Sequence, residues 1–266
     1  MELNLKGKTV VITGGSSGIG KEAAREYLRE GCNVAICARG QERLEATYVE
    51  FLKETGQKII AKVVDVTDYD ALSAFADEVV AQFGKIDIWY NNAGSNYLKP
   101  LFDYDVAEFR TMVDKLLVAD FSGCKIAGTH MKKTGGGVIL NASSLTATIP
   151  RAGSGPYAAC KAGVNAMTQV LAAELACDNI RVVAYSPGMI VTELTKEGVE
   201  KRRAQLLKDI PVQRFGTAEE IAKILVFLSS EWASYINGVH VDMNGAKLCV
   251  QNPLYAWEQA PHSTAP

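Results

Sequence analysis

Runs of Val, Ile and Leu recur at near-regular intervals along this chain, and between them lie stretches whose apolar residues return every three or four positions. The first kind of pattern predicts strands and the second amphipathic helices. Strands are predicted at Lys8–Thr13, Asn33–Ala38, Lys58–Val64, Ile86–Tyr90, Val138–Asn141, Ile180–Ser186 and Val239–Met243. Helices are predicted at Lys21–Arg29, Gln41–Glu54, Asp68–Phe83, Asp105–Lys133, from Tyr157 on to Ala176, at Thr195–Leu207 and at Ala218–Ser229. The strand runs are continuously apolar, as in sheets covered on both faces, and strand and helix alternate with short joins. The predicted architecture is α/β: a single-domain, Rossmann-like, doubly wound parallel sheet over residues 1–249. Residues 250–266 form a tail in which Pro253, Pro261 and Pro266 predict an irregular terminus.

Composition narrows the classes of function. The 266 residues are 48% hydrophobic and 22% charged with a net charge of −2, an ordinary globular balance that offers no basic surface to a nucleic acid or an anionic membrane. No apolar run reaches the ~20 residues of a membrane span. The six cysteines are scattered without metal-ligand spacing and sit mostly in apolar stretches, so they are read as reduced and structural, and no metal is expected. Met1 to Leu5 lacks a basic-then-apolar leader, and a cytoplasmic protein is expected.

Candidate chemistry lies at the ends of predicted strands. The first runs into Gly14-Gly15-Ser16-Ser17-Gly18-Ile19-Gly20 and then a helix. Glycines at such a turn let a pyrophosphate approach the free N–H groups of the helix, although a plain turn gives the same letters. About 20 residues past the glycines, where an acid grips the ribose of NAD(H), stand Ala38 and Arg39. A guanidinium there suits a 2′-phosphate and favours NADP(H) over NAD(H), against the alternative of a solvated Arg. Ser144 follows the fifth strand, and Tyr157 and Lys161 stand four apart at a helix opening, hence on one face. A cation beside a phenol favours the phenolate, so Tyr157 could exchange a proton near neutral pH. A Tyr and a Lys at that spacing are also common packing residues.

Together, Thr13-Gly14-x-x-x-Gly18-x-Gly20, Asn91-Asn92-Ala93-Gly94, Ser144, Tyr157-x-x-x-Lys161 and Pro187-Gly188 resemble the short-chain dehydrogenase/reductase family from residue 5 to about 249. The resemblance implies that Tyr157 is the acid/base on the substrate oxygen, that Ser144 hydrogen-bonds that oxygen, and that Lys161 lowers the Tyr157 pKa and holds the nicotinamide ribose. It implies too that Asp65 and Val66 cradle the adenine, that Asn91, Ala93 and Gly94 line the cofactor, and that Pro187, Gly188, Ile190 and Thr192 flank the carboxamide. Residues 195–209 would form a lid, and Leu194, Leu206, Leu207, Tyr97 and Leu98 hint at an apolar pocket. The implied activity is NADP(H)-dependent reduction of a ketone or 3-oxoacyl thioester by a homo-oligomer, a tetramer or dimer. Reduction of an enoyl thioester, or a lapsed enzyme that binds NADP(H) and scaffolds, are the alternatives.

The chain departs from the family pattern in three places: Asp242-Met243-Asn244-Gly245 replaces the usual Asp-Gly-Gly, the tail is long, and a helix Asn is missing. Ungapped counting puts Leu116 at the Asn position, so that Lys161 would need a backbone carbonyl or a water instead. Anchoring on Asp120-Phe121-Ser122-Gly123 would put Asp120 there, and the count favours Leu116.

Overall fold

Thr9–Thr13 (β1) is buried along its whole length, and its side chains alternate between two apolar layers: Val10 and Ile12 face one, Val11 the other. The same alternation runs through Asn33–Ala38 (β2), Ile88–Asn91 (β4) and Gly137–Ala142 (β5). With Ile60–Val63 (β3), Ile180–Pro187 (β6) and His240–Met243 (β9), they form one parallel sheet in the order β3-β2-β1-β4-β5-β6-β9. These features belong to a computed structural model that describes residues 2–193, 195–247 and 249–259.

Helices cover both faces. Gly18–Arg29 (α1), Gln41–Thr55 (α2) and Ala218–Ser229 (α9) bury Ala23, Tyr27, Phe51, Ile221 and Leu225 in the first layer. Tyr69–Phe83 (α3), Ala119–Thr134 (α5) and Gly155–Glu174 (α6) bury Phe75, Val79, Ala127, Met131 and Ala172 in the second. Asp68 caps α3 by accepting from the Ala71 N–H at 3.0 Å, and Thr217 with Glu220 forms a capping box on α9. One domain with a seven-stranded parallel sheet results, as the alternating pattern predicts.

Four regions differ from expectation. The stretch predicted as one helix over Asp105–Lys133 is Val106–Val113 (α4), a π-helical turn Asp114–Val118, and α5. The predicted helix Thr195–Leu207 is two short ones, Lys196–Glu200 (α7) and Arg203–Leu207 (α8). Val199 is the only buried residue of the two, so little packing holds a longer helix together. Ile190–Val191 (β7) and Gly216–Thr217 (β8) pair as a two-residue ribbon too short to show a period. In the tail, Tyr255–Gln259 (α10) is helical, and Trp257 Nε1 donates to the Pro211 carbonyl at 2.8 Å, docking it just past the stretch expected to form a lid.

Candidate active site

The C-terminal ends of β1, β4, β5 and β6 converge on one rim, the position at which open α/β sheets hold ligands. At β1 the rim is knitted by hydrogen bonds. Thr13 Oγ1 accepts from the N–H groups of Asn92 and Ala93 at 3.0 and 3.1 Å, and Asn92 Nδ2 donates to the Thr13 carbonyl at 2.9 Å. That bracing leaves no room for a Cβ at Gly14 or Gly20. Gly14 has φ +68°, and a Cβ on Gly20 would collide with the Asn92 amide and the Gly14 carbonyl. Ser17 precedes α1 without a capping hydrogen bond, and no acid occupies the first turn, so the helix presents unsatisfied N–H groups and its positive dipole end to the cleft.

Gly14, Ser16, Ser17, Arg39, Asp65, Val66, Ala93 and Gly94 line a single cleft of about 200 Å³ beside this turn, together with Arg43 and Lys115. Arg39 Nη1 lies 4.0 Å from Asp65 Oδ2. Asp65 is held below the usual carboxylate range, first by the Thr67 backbone N–H at 3.0 Å and further by the Thr67 hydroxyl, Arg39 and Lys115. Three cations thus face one carboxylate. Arg43 and Lys115 were not singled out from sequence, because a basic residue on an amphipathic helix reads as a solvated charge. Asn91 falls outside the cleft lining: its side chain is buried beneath the rim, accepting from Trp89 Nε1 at 2.7 Å and donating to the Asp120 carbonyl at 3.1 Å and to Asn141 Oδ1 at 2.9 Å.

Further along the rim stand the end of β5 and the start of α6. Ser144 opens the turn after β5, and its Oγ accepts from the Thr146 N–H at 3.2 Å and hydroxyl at 3.0 Å. Pro156 at the start of α6 needs no N–H partner and sets the helix direction. One turn on, the fully buried Lys161 donates to the Ala142 carbonyl at 2.6 Å and pins α6 to the strand end two residues before Ser144. Tyr157, one turn before it, packs against Met112, Leu116 and Cys160.

Asp120, and not Leu116, stands beside Lys161. Its Oδ2 lies 3.4 Å from Lys161 Nζ, and both side chains are about 4% exposed. This corrects the register drawn from counting. A π-helical turn holds an extra residue, so the helix approaches the site with Leu116 and Asp120 on one face. Leu116 fills the space against Tyr157 and Gly94, and Asp120 reaches the ammonium. Burial pushes the Asp120 carboxyl up to about 6 even against the attraction of Lys161. The signal for it in the sequence was a lone acid in an otherwise apolar and small stretch, Leu116 to Cys124.

Beyond β6, the Gly188 N–H donates to the Met243 carbonyl at 3.0 Å, and Asn244 stands where a Gly188 Cβ would lie. The departure Met243-Asn244 therefore sits against Pro187-Gly188. Thr192 reaches back to the glycine turn, its Cγ2 3.4 Å from the place of a Cβ on Gly18. Ile190 is buried where β7 pairs with β8. Leu206 and Leu207 pack on the small lid cluster of Val199, Ile210 and Phe215, whereas Tyr97 and Leu98 are exposed. Leu194 lies outside the described residues.

A doubly wound sheet with an uncapped glycine turn, and a Ser, a Tyr and a buried Lys along one rim, defines a nucleotide-dependent oxidoreductase scaffold. The sequence pattern of the short chain dehydrogenase family matches residues 8–203, and the chain belongs to that family. It is 36% identical over 248 residues to a 3α-hydroxysteroid dehydrogenase of Mediterraneibacter gnavus, covering 92% of this chain and 99% of that protein. It is 35% identical over 238 residues to a 3-oxoacyl-acyl-carrier-protein reductase of Staphylococcus aureus, covering 90% and 97%. Among solved structures it resembles a 7α-hydroxysteroid dehydrogenase complexed with NADH and 7-oxo glycochenodeoxycholic acid, with TM-score 0.88, 32% identity, and 92% and 96% of the chains covered. The L-sorbose reductase of Gluconobacter frateurii, complexed with NADPH and L-sorbose, superposes with TM-score 0.87 at 30% identity over 94% and 100%. The protein is an oxidoreductase of the ketone or 3-oxoacyl reductase type, acting on CH–OH/C=O groups with a nicotinamide cofactor. Among the described residues no helix is long and apolar enough to cross a membrane.

Proposed function

We propose that this protein is an NADP(H)-dependent reductase of ketones or 3-oxoacyl thioesters, with Tyr157 as acid/base, Ser144 as hydrogen-bonding partner of the substrate oxygen and Lys161 as the cation between them and the cofactor. The observation that carries the reading is the anchoring of Lys161 by the Ala142 carbonyl and Asp120, one helical turn from Tyr157. The glycine turn fits a dinucleotide, since α1 has donors to spare for a pyrophosphate and Gly14, packed against Asn92 and Ala93, keeps the turn tight beside the cleft. Arg39, Arg43 and Lys115 outnumber Asp65 in the cleft and support a 2′-phosphate over a bare ribose hydroxyl. The bound nicotinamide supplies or accepts the hydride.

The chain's own residues handle the oxygen. During reduction the carbonyl oxygen gains negative charge as its carbon takes the hydride, and the Tyr157 hydroxyl hands its proton to that oxygen while the Ser144 hydroxyl donates a hydrogen bond to it. In oxidation the same proton returns to the phenolate. Ser144 is held for this task by Thr146, whose two donors occupy the Oγ lone pairs and aim its own hydrogen elsewhere. The enzyme unit spans residues 1–249 with residues 250–266 as an appendage. Val118 in the π-helical turn, Phe121 on α5 and Val170 on α6 are exposed and support a homo-oligomer, a tetramer or dimer, built across these elements. Six free cysteines accord with a cytoplasmic protein.

Tyr157→Phe tests the assignment. It should lower kcat by about a hundredfold or more, as expected for loss of a general acid, while NADPH binding measured by fluorescence is retained. A variant keeping a tenth of the wild-type rate would mean that another group delivers the proton.

A further inference from the structure

Next to the reacting end of the cleft lies a second cavity, of about 320 Å³, between the turn after β5 and the lid. Thr146 and Leu145 belong to its wall, and Thr146 is bonded to Ser144, so the cavity adjoins the residue proposed to hold the carbonyl oxygen. Its remaining walls divide by chemistry. Leu145, Ile149, Met189 and Leu206 give it an apolar body of the size that accepts part of a small organic molecule. Arg151, Arg202 and Lys247 stand around it, opposed by the single carboxylate of Asp209.

The balance of partners decides what the cations are for. Lys247 is occupied, with Nζ 3.4 Å from Asp209 Oδ2. The neighbouring lid acids are occupied too, Glu197 by Lys201 at 2.6 Å and Glu200 by Arg203 at 3.8 Å. Arg151 and Arg202 have no carboxylate partner among the described residues. Arg202 donates through Nε to the Gly198 carbonyl at 3.3 Å, a contact that holds the side chain and leaves its terminal N–H groups free. In a chain of net charge −2, an apolar cavity ringed by two unopposed guanidiniums is a local reversal of sign. Guanidinium forks match carboxylate and phosphate oxygens in geometry and bind them with charge-assisted hydrogen bonds.

We propose that the substrate carries, on the apolar body that bears its reacting carbonyl, an anionic group, carboxylate or phosphate, that Arg151 and Arg202 receive. The proposal rests on the reading of the protein as a carbonyl reductase. The anion can come from an acid side chain on the substrate skeleton or from the phosphate of a phosphopantetheine thioester.

Matched pairs separate these sources and test the proposal: a 3-oxosteroid carboxylic acid against its methyl ester, and acetoacetyl phosphopantetheine against acetoacetyl pantetheine, each assayed for kcat/KM with NADPH and with NADH at low and high salt. The anionic member of the pair that is turned over should be favoured by about tenfold or more, and the gap should narrow as salt rises. It should close in an Arg151→Ala/Arg202→Ala double variant and reverse in Arg151→Glu/Arg202→Glu, with nucleotide fluorescence verifying that each variant is folded. Equal turnover of neutral and anionic members, or a gap that survives both double variants, would overturn the proposal and leave the reductase reading standing. Turnover of none of the four compounds with either nucleotide would overturn both.

Discussion

Two carboxylates near the cleft each face a cation, and their environments drive them in opposite directions. Asp65, at the Arg39 end, is 44% exposed along its side chain, 4.0 Å from Arg39, and is held low chiefly by the Thr67 backbone N–H. Asp120, at the Lys161 end, is sealed in with that ammonium at 3.4 Å and is nevertheless pushed up to about 6. The cation is the nearer one at Asp120, so distance to a positive charge does not set the outcome. Dehydration does: a buried carboxylate loses its hydration, and one ammonium does not restore it. The Arg39 end is therefore a wet, adjustable surface suited to choosing between ligands, and the Lys161 end a dry, fixed one suited to holding a single charge in place.

The sharpest way to break this contrast is to remove the buried acid alone. Asp120→Leu leaves the buried Lys161 ammonium with the Ala142 carbonyl as acceptor and without Asp120, which should cost about 1.5–3 kcal/mol in urea unfolding at pH 4, where the contribution of Asp120 is nearly complete. Removing the cation as well, in Asp120→Leu/Lys161→Met, should recover much of that stability while leaving the protein inactive. If the single variant unfolds within about 1 kcal/mol of wild type, the pair is not the dehydrated element described above.

At the wet end the expected effect is smaller and falls on ligand choice. Arg39→Ala should raise the KM for NADPH about tenfold or more and leave that for NADH nearly unchanged, because a charge-assisted contact to a phosphate contributes about 1.5–3 kcal/mol. Arg43 and Lys115 remain in the variant and limit the loss. Steady-state kinetics with both nucleotides decide the matter, and a wild-type enzyme that prefers NADH would end this account of Arg39 before any variant is made.

The two ends also differ in how far they could be read from the letters. Strand and helix order was legible because the apolar runs are continuous in the sheet and periodic outside it, and the family match and the topology bear this out. The glycine turn, Ser144 and Tyr157-x-x-x-Lys161 carry spacing as well as residue type. Asp120 was visible but was set aside for Leu116, since counting along a helix assumes a uniform turn and the π-helical turn Asp114–Val118 breaks that assumption. Arg43 and Lys115 reach the cleft from α2 and from that same turn, and which way a basic side chain swings across a cleft depends on tertiary placement. The division of the lid into α7 and α8 follows from how little it buries, which only packing reveals.

The contrast in hydration makes its most discriminating prediction in the sign of a pH dependence. For Asp120 the folded-state value, about 6, lies above the ordinary 3.8, so the folded state binds the proton more tightly. Its contribution to stability is complete below about pH 3.8 and is lost as pH rises through 6. For Asp65 the folded-state value lies below 3.8, so its contribution is present above that pH and is lost as pH falls. Wild-type stability minus that of Asp120→Asn should therefore shrink between about pH 4 and 6.5, and wild type minus Asp65→Asn should shrink on going the other way, below about pH 4. The second effect should stay under about 1 kcal/mol because the group is solvated. Other ionisable groups near Asp120 do not blur the first: burial pushes the Cys124 thiol up to about 12 and raises Cys160, Tyr90 and Tyr185, and Lys161 is present in both proteins. Urea unfolding of the three proteins across pH 3.5 to 7 measures both differences at once. Differences that move in the same direction with pH would show that the two carboxylates share one kind of environment, and the distinction between a wet and a dry end of the cleft would fall.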